Sequence, residues 1–246
     1  MNALKSFGFL AVVALSFSAC SGSRTKTLVQ QIAAPPVIDG NIDAAWNATD
    51  WLSISHVRST RLPVVKPADI AAAYKILWDT ANCYLLFRIT DDIKFCSTYT
   101  TEFERIYDLR LREHDGINLM FDPENKKSST LDTSSFNNKK FTYNSDSICT
   151  STSTKANSVV KGISFAQSNT KEGYLFEISL PWKALNIVPV NNKEIGFEIN
   201  IIDNDNYMPF PDTQPKKSTV LAWNDATGEN PFTRTDIFGT LVLKTK

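Results

Sequence analysis

Acidic residues gather where strands should end. Asp91 and Asp92 close one alternating segment, CYLLFRITDD, and Asp203 and Asp205 close another, EIGFEINIIDND. Oxygen ligands grouped in this way suit calcium, which takes about six to eight of them. The spacing is not that of an EF-hand loop, and Asp or Asn at a strand end also bonds its own backbone in turns. Metal binding and turn chemistry are therefore both open readings of these four residues. A second candidate lies in the stretch VLAWNDATGENPFTRTDIFGTLVL, where Phe232 follows Asn230 and Pro231 in a turn-rich loop. An aromatic ring on a polar loop can serve as a docking surface for a ligand, or it can plug the end of a core. Trp223, in the alternating run LAW, reads as core.

Other chemistry has no frame in this sequence. His56 and His114 stand far apart, and neither sits in an HExxH pattern. There is no GxSxG elbow, Gly-rich phosphate loop or CxxC pair. No His or Met pair presents itself as axial ligands for haem. Cys83, Cys96 and Cys149 are an odd number beyond Cys20, which excludes a complete disulfide framework. Cys83 reads as a buried thiol. Lys and Arg total 26 against 26 Asp and Glu, so the chain lacks the basic excess that a nucleic-acid partner requires.

The elements that would position these residues follow a period of two. AAYKILWD puts Tyr74, Ile76 and Trp78 on one face. CYLLFRITDD does the same with Leu85, Phe87 and Ile89, and the turn DTAN makes the two a hairpin. GINLMFD, GYLFEISLPW and EIGFEINIID alternate in the same way, and GTLVL supplies a last strand. Such short strands between turn signals predict an all-β, antiparallel β-sandwich. One or two short helical turns are expected, at DAAWNAT and after Pro181. The polar stretch from Pro123 to Lys161 reads as surface loops with one strand at FTY.

The N-terminus reads as a secretory signal over residues 1–19: one Lys, the apolar run FGFLAVVALSF, then small residues. FSAC resembles a bacterial lipobox, so Cys20 is the expected acylation site and the membrane a partner through an N-terminal acyl anchor. Residues 20–31 read as a tether and residues 32–246 as a single domain.

Taken in order, PVIDGNIDAAWNATDW, ILWDTANCYLLFRITDD, HDGINLMFDPE, GYLFEISLPWKAL, EIGFEINIIDND and LAWNDATGENPFTRTDIFGTLVL resemble carbohydrate-binding module family 9 and its DOMON-like relatives. The resemblance covers nearly all of the chain after the tether. It implies a β-sandwich that holds a sugar between two tryptophans, often with structural calcium. By position, Arg112 and Phe232 stand where the clamp tryptophans would be, and Asn118 replaces a strand-borne Glu. Of a middle-strand Arg and Asn, only the Asn is kept, at Asn144, with Thr142 in place of the Arg. Asn230 keeps a polar group beside Phe232. Trp46, Trp51, Trp78 and Trp182 take structural places. The expected function is non-catalytic glycan binding by a lipid-anchored module of the bacterial envelope, with the periplasmic face favoured because SGSRTK lacks an acidic sorting pair. The alternatives are a scaffold docking an envelope protein, or a glycoside hydrolase, which would need two carboxylates facing one cleft.

Overall fold

The computed structural model describes residues 24–60, 62, 64–95, 114–130, 137–142, 148–151, 162–205, 218–225 and 229–245. Among them run thirteen strands. In chain order these are β1 (Lys26–Gln31), β2 (Leu52–Ile54), β3 (His56–Thr60), β4 (Ile70–Trp78), β5 (Asn82–Asp91), β6 (Gly116–Asp122) and β7 (Asn137–Thr142). They continue with β8 (Ile148–Ser151), β9 (Ser164–Asn169), β10 (Gly173–Pro181), β11 (Glu194–Asn204), β12 (Ser218–Ala222) and β13 (Gly239–Lys244). The main path is β8-β7-β6-β11-β13-β1-β4-β5-β10-β9, with β12 beside β11, β3 beside β12, and β2 beside β4. The path folds into a β-sandwich.

The period-two pattern decides what fills the middle, because successive side chains of a strand point to opposite faces. Tyr74, Ile76 and Trp78 meet Leu85, Phe87 and Ile89 in one buried cluster, together with Ile117, Leu119, Phe121, Phe176, Phe197, Ile199 and Trp223. The two layers lock through rings. Phe141 on β7 lies 5.7 Å from Phe165 on β9 and 6.2 Å from Phe176 on β10, and Tyr74 on β4 lies 6.1 Å edge-on from Trp223. Trp223 is thus a core residue, as its alternation predicts. Cys83 is a free, buried thiol in the same cluster.

The outer face of β4 and β5 is covered by the segment that follows β1. Ile32 and Trp46 pack there on Leu77, Tyr84 and Leu86, with Ile38 and Trp51 at the margin. Trp46 sits in the expected helical turn, a 3₁₀ turn over Ala44–Ala48 capped by Asp43, whose side chain accepts from the Ala45 N–H at 2.8 Å. The second turn, Trp182–Leu185, starts one residue later than expected. Pro181 ends β10 and stands as its cap.

Three expectations change. Residues 26–31, read as tether, form β1, which pairs in parallel with both β13 and β4. The fold therefore begins before Ile32, and the sandwich is antiparallel except along this strand. The stretch 123–161 contributes two strands, not one, because β8 pairs with β7. Residues 103–113, of mixed pattern, lie outside the described residues.

Candidate functional site

Six carboxylates meet at one end of the sandwich as two triplets. Asp91, Asp115 and Asp203 offer oxygens that all lie within 4.8 Å of one another, and so do Asp69, Asp92 and Asp205. Asp91 ends β5, Asp115 immediately precedes β6, and Asp203 lies near the end of β11. The four acids singled out by sequence are therefore divided between two groups. Asp69 and Asp115 complete them and were missed. Asp115 carries a signal only in hindsight, as the Asp before a strand that pairs with β11.

The first triplet is buried. Turn chemistry accounts for part of it. Asp91 Oδ1 accepts from the Ile93 N–H at 2.9 Å, and Asp115 accepts from the backbone of Asn204 at 2.8 Å and of Phe95. Asp91 Oδ2 and Asp203 Oδ1 are nevertheless buried without a hydrogen-bond partner among the described residues. Burial pushes the Asp115 carboxyl up to about 9, with the charge of Asp91 adding to it, and the Asp203 carboxyl up to about 8, with Asp205 adding to it. Clustered buried carboxylates that resist ionisation, with spare oxygens, are the donor set of a hard divalent cation. The residues present fit calcium, with Asp91, Asp115 and Asp203 as its holders.

A different face carries a row of buried polar groups. On β6 the core side is Ile117, Leu119 and Phe121, so Asn118 and Met120 point to the opposite face. The strand register builds a row there: Lys140 on β7 opposite Asn118, Asn118 opposite Asn200 on β11, and Asn200 opposite Ala222 on β12. Asn138 and Glu198 flank the row, opposite Met120 on either side. All of these side chains are buried, and the amide oxygens of Asn118, Asn138 and Asn200 have no hydrogen-bond partner among the described residues. Lys140, Asn138 and Asn200 were not foreseen. Lys140 rather than Thr142 is the residue across from Asn118, because Thr142 pairs with Gly116.

The last loop approaches this same face. Ile237 and Phe238 pack on Met120, and Thr235 Oγ1 donates to Asp122 Oδ2 at 2.9 Å. Asn230 Oδ1 accepts from the Phe232 N–H at 3.0 Å, so its oxygen fixes the turn that presents the ring. Phe232 is 39 % exposed, whereas Trp46, Trp78, Trp182 and Trp223 are buried. Trp51 is half-buried, with the Arg88 guanidinium 4.4 Å from its ring centre. Arg112, Asn144 and Cys20 lie outside the described residues.

Comparison with known proteins gives this geometry a family. Residues 38–246 match the model of the carbohydrate family 9 binding domain-like family. The chain is 27 % identical over 224 residues to Exoglucanase XynX of Acetivibrio thermocellus, covering 91 % of this chain and 18 % of that protein. It is 25 % identical over 209 residues to Endo-1,4-beta-xylanase A of Thermotoga neapolitana, covering 85 % and 17 %. The chain thus spans under a fifth of the length of these relatives. Among solved structures, a family 9 carbohydrate binding module from Caldicellulosiruptor kristjanssonii in complex with cellotriose is similar in fold, with a TM-score of 0.67 and 19 % identity. It covers 90 % of this chain and 95 % of its own. The same module in complex with glucose gives the same score. The match extends over the last loop and every strand of the polar face, and this chain belongs to the carbohydrate family 9 binding domain-like family.

Proposed function

We propose that the protein is a non-catalytic carbohydrate-binding module that holds a glycan against the polar face of β7, β6 and β11, beside the last loop. The observation that carries this reading is the set of three partnerless, buried amide oxygens on that face, at Asn118, Asn138 and Asn200. Buried acceptors left unmet cost about 1–3 kcal/mol each, and sugar hydroxyls are the donors that relieve that cost. Phe232 supplies an apolar platform at the margin. Cellotriose and glucose, held by the similar modules, support a glucose-type ligand. The Glu198 carboxylate on this face is consumed by four hydrogen bonds from Ile199, Trp223 and Asn224, which supports binding over hydrolysis.

Calcium at Asp91, Asp115 and Asp203 has a structural part in this reading, tying β5 to β6 and β11. Acylation at Cys20 would anchor the module to the cell envelope, on its periplasmic face, where it would serve glycan capture or degradation. The test is a glycan array with the protein from Ser21 onward, run with calcium and with chelator, beside Phe232→Ala. Binding weakened about tenfold by Phe232→Ala, at unchanged melting temperature, is the expected result. A folded protein that binds no glycan sinks the reading and leaves an envelope-protein scaffold as the function.

A further inference from the structure

Arg58 is held in an unusual way. Across β3 and β12, Val57 pairs with Leu221 and Ser59 with Val220, so Arg58 is the extra residue of a bulge. A bulge re-aims the side chain it carries. Here it turns the guanidinium onto the polar face, where the side chain is only 8 % exposed. Nη1 donates to the carbonyl of Glu229 at 3.0 Å, one residue before Asn230 in the last loop. Nε and Nη2 have no acceptor among the described residues. Glu198 Oε1 is 3.7 Å from Nη2, too far for a hydrogen bond, and its oxygens are already engaged by Ile199, Trp223 and Asn224.

Nε and Nη2 are the two parallel donors of the guanidinium's side edge, the fork that takes two oxygens at once. The row that carries the amide oxygens of Asn118 and Asn200 runs on through Ala222 to His56 on β3, two residues before Arg58, and Glu198 beside that row lies 3.7 Å from Nη2. A ligand that meets both needs oxygens that accept from Arg58 and donate to the amides. A hydroxyl does both. A carboxylate would satisfy the fork, but it would leave the amide oxygens unmet and stand against the charge of Glu198.

We propose, resting on the carbohydrate reading above, that Arg58 is a specificity-determining ligand contact whose Nε/Nη2 edge takes a vicinal pair of hydroxyls of a neutral pyranose under the last loop. The class is a neutral sugar, not a sugar acid. The last loop lies over this edge, since Nη1 of Arg58 donates to the Glu229 carbonyl.

The experiment is calorimetric titration with cellotriose, its monodeoxy analogues and cellobiouronic acid, on the wild-type protein, Arg58→Lys and Arg58→Gln, with thermal melts to establish that each is folded. Arg58→Lys keeps the charge and loses the fork. It is expected to weaken cellotriose about tenfold or more. The deoxy position that costs the wild type most should cost Arg58→Lys nothing further. Cellotriose bound equally by wild type and a folded Arg58→Lys, with the same deoxy profile, overturns the assignment and leaves the carbohydrate reading standing. A wild-type preference for cellobiouronic acid that Arg58→Lys abolishes overturns the neutral class. A wild type that binds none of the probes overturns this assignment, and one that binds no glycan on the array either overturns the carbohydrate reading as well.

Discussion

Glu177 shows what one buried carboxylate does to a covering layer. It sits on the outer face of β10 and accepts from Trp46 Nε1 at 2.8 Å, from the Gly40 N–H at 2.8 Å and from the Asp39 N–H at 3.0 Å. All three donors belong to the segment that covers β4 and β5. Glu177→Ala strands them under that cover, and the expected loss is about 3 kcal/mol or more, read by urea denaturation. Glycan affinity should not change, since the contact lies away from the polar face. Gly40 belongs to the same clasp: its φ is +86°, and a Cβ there would meet the Gln167 backbone at 3.1 Å. At this scale the sequence was partly legible. Trp46 read as structural from the family resemblance, Trp223 as core from alternation and Phe232 as a loop-borne ring from its turn-rich context. Glu177 was not legible, because it looks like any polar residue of an alternating strand and its partners lie more than 130 positions away. Arg58 escaped for a similar reason: a bulge is a register event between two strands, and no spacing within one strand announces it.

Strand ends carry the acids, and strand order decides which of them meet. Alternation located the ends of β5 and β11, so Asp91, Asp92, Asp203 and Asp205 were visible as candidates. Their sorting into two triplets depends on β6 lying beside β11 and on β5 reaching the same end of the other layer, which a single sequence does not encode locally. The consequence for pH is specific. Asp115 and Asp203 bind protons more tightly in the fold, up to about 9 and about 8, than in the unfolded chain, where carboxyls sit near 4. Between these limits the folded state holds more protons. In chelator the contribution of these groups is therefore present below about pH 4 and is lost as pH rises toward 8 to 9. Bound calcium would reverse the direction, because it requires the ionised oxygens. Melting curves from pH 5 to 8.5 should fall with pH in chelator and be raised by calcium most at the alkaline end. A pH profile identical with and without calcium argues for turn chemistry alone. Replacing Asp115 by Asn should remove most of the calcium effect.

For the whole molecule the decisive element is β1. It contributes one fully buried side chain, Val29, and its remaining residues are half-buried or exposed. A strand with so little apolar content gives no hydrophobic rhythm, which is why it read as tether. Its worth lies in the backbone, since it fills the gap between β13 and β4. A protein begun at Ile32 leaves both neighbours with open edges, and such edges pair with other chains. It should be recovered aggregated or without a cooperative melt, whereas one begun at Ser21 should melt cooperatively. A soluble, cooperatively melting protein from Ile32 would show β1 to be dispensable. One of the two partners of β1, β13, is the last strand of the described fold. A ribosome delivers Lys26 some two hundred residues ahead of Leu243, and the sheet cannot close until both are out. Joining such distant segments costs about 5 kcal/mol of chain entropy for a loop of about 200 residues. Contacts this far apart in sequence also slow folding. The nascent chain must therefore travel most of its synthesis without its finished sheet.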